Sequence, residues 1–320
     1  MPFDFAAVQT PFRMQPGLRR LAPDDWQLTP NQPGDRALRE KLAVLSMHPA
    51  RALCADPGFD AGPALQALCV HAEAEHAAAF GRKADAAWHA PMLGWALQGG
   101  EPAGRGPAEI GACLRALPAG WRLPALLSLA FAEDFAVIDA ASGCIPWLAV
   151  CLPSHWAPED KVGRHFAEVH APVADNALLV NAGAHLMRLV TGAERWERFV
   201  WTITHSPNLR QHPSEGSASG WPVTGDADEL AASAFFRTER QTFIPVPSQQ
   251  QAVFTIHVEM QPLIQAMAAP AHARLVHDAL ASMSPSVLAY RGLTDVRGRL
   301  LAWLAQRADS AARVGTGDRR

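Results

Sequence analysis

The order of elements along this 320-residue chain predicts an α+β protein, with helices first, then a run of mixed strands, then helices again. No strand–helix–strand unit repeats along it, which argues against a doubly wound parallel sheet and favours a sheet with helices to one side. The clearest strand, Ala252–Val258, alternates: Val253, Thr255, His257 and Glu259 share one face, and Phe254, Ile256 and Val258 the other.

The elements follow in order. Residues 35–54 and 63–80 read as helices, the second with Leu65, Leu68 and Ala72 on one face. A Gly/Pro-rich connector runs from Gly99 to Pro107, and a short helix is expected around Ile110–Leu117. Strand-like runs occupy Phe135–Ile138 and Trp147–Leu152. Residues 173–190, carrying Leu178, Leu186 and Leu189, and residues 208–233 read as helix and loop. Further strands are expected at Phe199–Thr204, at Phe235–Phe236 with Gln241–Ile244, and at Ala252–Val258. Helices over Pro262–Ala281 and Val296–Ala311 close the chain, leaving 312–320 as a loose tail and 1–311 as one domain. There are no internal repeats.

Composition narrows the function. The chain is 49% hydrophobic and 18% charged, as suits a compact folded protein. Its net charge of −3, with no basic block before the terminal Asp318-Arg319-Arg320, disfavours a nucleic-acid partner. The five cysteines, Cys54, Cys69, Cys113, Cys144 and Cys151, form no C-x-x-C pair, so a disulfide framework or four-cysteine metal site is not expected. The start lacks a basic segment followed by a long apolar run, and no stretch of 18 or more apolar residues occurs. The expectation is a cytoplasmic protein that spans no membrane.

The most informative stretch is Leu152–Val173, LPSHWAPEDKVGRHFAEVHAPV. Pro158 suits the first turn of a helix, Glu159 and Asp160 complement its positive end, and Val162, Phe166 and Val169 share a face. Pro172 stops the helix and pushes the residue before it towards extended geometry. His170 is thus held at a helix end, where it either caps the C-terminus as a mildly favoured cation or presents an imidazole to a metal or cofactor.

Other candidates divide similarly. The His71…Glu75-His76 run suggests a zinc hydrolase, but its histidines are five apart, about 140° round a helix, so an exposed charged face is expected instead. His165 and His170 share that spacing and are not expected to bind one metal. In FFRTERQTF (235–243), alternation puts Arg237, Glu239 and Gln241 on one face and Thr238 and Arg240 on the other. This is either an edge strand with a solvated ion pair or a polar wall facing a pocket. There is no G-x-S-x-G elbow, P-loop or dinucleotide fingerprint.

Taken together, PFRMQPGLRRL (11–21), AEDFAVID (132–139), CLPSHWAPEDKVGRHFAEVHAPV (151–173), RFVW (198–201), FFRTERQTF, AVFTIHVEMQPL (252–263) and Tyr290-Arg291-Gly292 resemble the haem-dependent oxidative N-demethylase alpha-subunit family. Similarity runs from about residue 10 to about residue 304. The resemblance implies a PAS-like antiparallel sheet with flanking helices (core about 125–260), elaborated by helices at both ends. It also implies a haem-b monooxygenase, an oxidoreductase of amine metabolism. The substrate would be a small secondary amine oxidised with dioxygen to a primary amine and formaldehyde, with electrons from separate flavin and iron–sulfur reductase subunits.

On the matching motifs His170 becomes the axial iron ligand, with His155 and His205 as rivals. Lys161, Arg198, Trp201, Arg240 and Gln241 become cofactor-binding residues, the arginines holding haem propionates. Glu239, with Arg237, serves the substrate or a proton path. Two departures stand out: Val200 replaces the Asn of the family's R-x-N-W, and Ile244-Pro245-Val246-Pro247 replaces an Arg and Leu-Pro. Other readings of this resemblance are a non-catalytic PAS-like haem or small-molecule sensor, and a member that has lost its cofactor.

Overall fold

The computed structural model describes residues 3–82, 88–215 and 220–314, with side chains to residue 310. An N-terminal arm carries β1 (Arg19–Arg20), then α1 (Arg36–Met47), β2 (Leu53–Ala55) and α2 (Gly62–His76) follow. Next come β3 (Gly81–Arg82), β4 (Trp88–Ala90), β5 (Trp95–Gln98) and β6 (Glu101–Gly104), then α3 (Ala108–Ala116) and α4 (Ala119–Ala130). The central part holds β7 (Asp134–Asp139), β8 (Cys144–Ala149), α5 (Phe166–His170), α6 (Ala177–Val190) and β9 (Trp196–Thr204). After α7 (Ala227–Ala232), the long strands β10 (Phe235–Val246) and β11 (Gln251–Pro262) form a hairpin. The chain ends in α8 (Leu263–Ala266), α9 (Pro270–Ala281), α10 (Pro285–Tyr290) and α11 (Arg297–Val314).

The fold is α+β. Seven strands form one antiparallel sheet in the order β1-β9-β10-β11-β7-β8-β2, and β3 to β6 form a separate small sheet. Helices cover both faces of the large sheet, not one. On the back face, α1 to α4 pack Leu45, Leu68 and Leu126 in one cluster with Phe135, Val137 and Val253. Beside them, α7 to α11 pack Val276, Leu280 and Leu300 in a cluster with Trp201 and Phe236. The front face has a thinner cover, from α5, α6 and the loop before them. Phe166 and Met187 are clustered there with Phe243, and Trp156, Val162 and Val169 with Ala136 and Leu148.

Several expectations change. The helix expected over 35–54 stops at Met47, because the next residues turn and pair as β2 with β8. The 99–107 connector contains β6, since Glu101–Gly104 pairs with β5 despite its Pro and Gly. Helix α4 carries Pro124 in its interior and is stabilised by packing, with residues 124–130 all buried. The strand expected in two pieces at 235–244 is continuous, and α11 runs on to residue 314, inside the expected tail. Residues 315–320 of that tail lie outside the described residues.

The arm 21–31 is tied to the back face by polar side chains. Glu75 accepts from the backbone N–H groups of Gln27 and Leu28 at 3.0 Å, and His76 Nε2 bonds Leu28 O at 2.8 Å. Glu133 accepts from Thr29 N at 2.9 Å and pairs with His257 at 3.0 Å. The His71–Glu75–His76 run is therefore no exposed face; its Glu75 and His76 side chains are 9% and 8% exposed. Burial alone would raise the Glu75 and Glu133 carboxyls, but hydrogen bonds from His71 and His257 and from backbone N–H groups outweigh it, and both lie below the usual range. A carboxyl depressed in the fold stabilises it above its unfolded value and loses that contribution as pH falls through the folded one. Amide exchange in residues 21–31 should therefore accelerate in acid, below about pH 4, before the central strands open. Simultaneous acceleration in arm and sheet would refute it.

Candidate functional site

Strand register decides which polar side chains meet. Along β10, Arg237, Glu239 and Gln241 point to the front face, opposite Thr202, Val200 and Arg198 on β9 and Met260, Val258 and Ile256 on β11. Arg198, Glu239 and Gln241 are thus brought together, with Val200 and Val258 flanking Glu239. Arg240 and Trp201 belong to the back face. Arg240 bonds Glu197 at 2.9 Å and Trp26 O at 2.7 Å, and Trp201 packs among the C-terminal helices. Both therefore lie away from the other expected cofactor residues, as period-2 alternation requires.

The cover over this face departs from the expected single helix. Pro158–Asp160 forms one 3₁₀ turn, and the chain then turns at Gly163, whose φ of +73° suits a residue without Cβ. There it follows the start of β8: Gly163 N bonds Ile145 O at 2.9 Å and Ile145 N bonds Arg164 O at 3.1 Å. A short helix restarts at Phe166, and His165 is its N-cap, accepting from Ala167 N at 3.2 Å while Glu168 reaches back to His165 N. His165 is thereby committed to the cap.

His170 ends this short helix. Its Nδ1 lies 2.8 Å from Phe166 O, and a carbonyl only accepts, so Nδ1 carries the proton and Nε2 is left with its lone pair. The imidazole also sits 4.1 Å from the Phe166 ring, and that ring fills the space where a Cβ on Gly183 of α6 would fall, 2.9 Å away. Asn176 holds the His170 carbonyl at 3.0 Å and Lys161 holds the Val169 carbonyl at 2.8 Å. Burial lowers the His170 pKa, and the Arg198 and Lys161 cations lower it further, while the Phe166 bond opposes them. At neutral pH the ring is therefore neutral. No described residue bonds Nε2.

Across from it, Arg198 makes no hydrogen bond or ion pair among the described residues, and its Nε is fully shielded. Burial lowers its pKa, and Glu239 partly restores it. Glu239 is held on both oxygens. Gln241 Nε2 donates to one at 2.6 Å, and Ser154 Oγ donates to the other. Ser154 in turn accepts from Arg237 Nε at 2.8 Å. The rest of the Arg237 guanidinium donates to the carbonyls of Leu209 at 2.8 Å and Leu152 at 3.2 Å. Arg237 is 1% exposed and ties the loop that carries Ser154 to the loop that carries Leu209.

Sequence reasoning missed Ser154, although it lies in the quoted PS-x-W turn, because only the folded chain brings it to Glu239. His155 and His205 lie at the side of this group. His155 has a φ of +61° and is exposed, while His205 meets the Trp221 ring at 5.4 Å. A separate cleft of about 500 Å³ opens on the back face between Phe3, Phe5, Phe236 and His272, and none of the expected site residues lines it. Among the described residues no three His, Cys, Asp or Glu side chains converge on one point, and no helix is long and apolar enough to cross a membrane.

Every residue of the front-face group lies between positions 152 and 260. Residues 120–301, more than half of the chain, match the family model described as haem-dependent oxidative N-demethylase, alpha subunit-like. The chain therefore belongs to the haem-dependent oxidative N-demethylase alpha subunit-like family.

Proposed function

We propose that the protein is the haem-b-binding catalytic subunit of an oxygenase that demethylates a small secondary amine, working with separate flavin and iron–sulfur reductase subunits. The observation that carries this reading is the free, tautomerically fixed Nε2 of His170 beside the unpartnered guanidinium of Arg198. The residues fit a haem on both counts. A porphyrin brings four nitrogen donors, so one protein imidazole completes a site where no cluster of ligands is needed. A haem also brings propionates, and Arg198, with Lys161 close by, offers the cationic partner they require.

A bound haem would supply dioxygen activation, the N-methyl carbon leaving as formaldehyde while dioxygen, two electrons and two protons also yield one water. The protein's own side chains do the rest. His170 would hold the iron through Nε2, and its Nδ1–H bond to Phe166 O keeps the ring oriented. Glu239, fixed by Ser154 and Gln241, binds the substrate's N–H and holds a proton on its way to or from the amine. Val200 and Val258 on either side accept apolar N-substituents.

Two measurements test this. The purified protein, expressed with haem supplementation, should show a Soret band at one haem per chain; a colourless protein that stays so on haem titration would sink the reading. Glu239→Gln keeps shape but removes charge, so the band should remain while amine oxidation with a surrogate reductase falls by about 10²-fold or more. Equal rates in both proteins would reduce Glu239 to a structural partner of Ser154.

A further inference from the structure

The cleft on the back face has no role in the scheme above, yet both of its sides are fixed. One side is the start of the chain. Asp4 caps the turn Phe5–Ala7 by accepting from Ala6 N at 2.9 Å, and Arg19 pairs with Asp4 and, at 2.8 Å, with Glu197 of β9. Phe3 packs edge-on against Phe199 at 5.8 Å and Phe236 at 5.4 Å, which ties the segment to β9 and β10. The other side is the turn from α8 to α9, where Arg307 holds Met267 O at 3.1 Å and Ala268 O at 3.4 Å. Ala266, Ala268 and Ala269 put only methyl groups on this side, which leaves the space of about 500 Å³ open. Small-molecule sites span roughly 300–1,000 Å³ and are usually formed before the ligand arrives.

The lining combines two chemistries. Phe5 lies parallel to the Phe236 ring at 5.7 Å and to the His272 ring at 3.7 Å, so aromatic rings form one wall. Thr238, Gln261 and Gln265 supply a hydroxyl and two amides, and their side chains make no hydrogen bond among the described residues. On the inner side of Thr238, Arg240 Nη2 is fully shielded and likewise unpartnered. The Arg240 charge is already matched by Glu197, so it offers a donor and not a free cation. Asp4, the one carboxylate lining the cleft among the described residues, is matched by Arg19 in the same way. An ionic ligand would therefore lose its water here without gaining a counter-charge.

We propose that this cleft is a second small-molecule site, taking an uncharged planar aromatic compound that carries an amide-like hydrogen-bonding edge. The ligand ring packs against Phe3, Phe5 and Phe236, where offset and edge contacts between π systems are favoured. Its edge offers both a donor and an acceptor, and Thr238, Gln261 and Gln265 can each answer either. The site is separate from His170 and Glu239: Thr238 and Glu239 are neighbours on β10 and face opposite sides of the sheet. Its occupancy does not depend on the haem reading.

Saturation-transfer NMR titrations of the purified protein with 1-naphthamide, 1-naphthoate and 1-naphthylmethylammonium test this. The amide should bind at least about tenfold more tightly than either charged analogue. Ala268→Phe, which fills the cleft from an exposed turn, should weaken the amide by at least about tenfold. Gln265→Leu, which removes one hydrogen-bonding partner, should weaken it by about fivefold. Far-UV circular dichroism of both variants should match wild type, since both positions are exposed; were Ala268→Phe to misfold, Gln265→Leu decides alone. Absence of saturation transfer to the amide overturns the proposal, and equal affinity for the three probes overturns the uncharged class. Amide binding unchanged in the folded variants places the probe elsewhere and overturns the site.

Discussion

His170→Ala should abolish the Soret band, or weaken haem retention by more than about 100-fold, since on the proposed reading it removes the iron ligand itself and not only a residue that orients one. His165→Ala and His76→Ala should leave it intact. His165 serves the N-cap of α5, and His76 lies on the other side of the sheet, holding Leu28 O. The change should not unfold the protein. The imidazole makes one hydrogen bond, to a carbonyl at the end of a five-residue helix whose C-terminus is also held by Asn176. Far-UV circular dichroism should match wild type, and added imidazole should restore part of the band by filling the vacated position. If His155→Ala or His205→Ala removed the band instead, the ligand would lie at the side of the Glu239 group and not at the end of α5. Haem would then still bind, but the roles of Arg198 and Lys161 would need reassignment.

How much of this was legible in the sequence depends on the range of the interactions. Period-2 alternation in 252–258 fixed which residues share a face, and the register with β10 keeps them there. Alternation likewise separated Arg240 from Glu239 in FFRTERQTF, but it could not say which face receives α5, because both are covered. The place of His170 at a helix end was readable from Pro172, although Ala171 before that proline is helical (φ −56°, ψ −38°) and not extended as expected. The break at Gly163 was not, since it follows from pairing with the start of β8, far from any local helix signal. Glu75 and His76 looked like a solvated face because their partners, the backbone of 27 and 28, lie almost fifty residues earlier. Helix α4 escaped notice because Pro124 argues locally against it, and only burial of the following turns outweighs that. Ser154 was visible as a member of a motif, but its contact with Glu239 is a product of tertiary structure.

Arg237→Met should be the most destabilising single change at the site, at about 3–5 kcal/mol, and should act on folding before catalysis. Arg237 and Glu239 were expected to act together from the same strand face, and the structure gives them different work. The Arg237 guanidinium is buried, with donors committed to Ser154 Oγ and to the carbonyls of Leu152 and Leu209. Methionine preserves much of the length and apolar stem but leaves those carbonyls, from two separate loops, without their donor. Each unsatisfied buried acceptor costs about 1–3 kcal/mol, and a domain is stable by only about 5–15 kcal/mol in total. Ser154 would lose the donor that fixes its hydroxyl, so Glu239 would lose its orientation as a consequence. Arg237→Lys should recover only part of the loss, because an ammonium is a point donor and cannot span three acceptors as a planar fork does. Urea unfolding of Arg237→Met, Arg237→Lys and Glu239→Gln separates the roles: the first should shift the midpoint furthest, the second less, and the third least. A fully stable Arg237→Met protein with impaired amine oxidation would instead place the guanidinium in contact with substrate, and the carbonyl bonds seen here would be replaced when substrate binds.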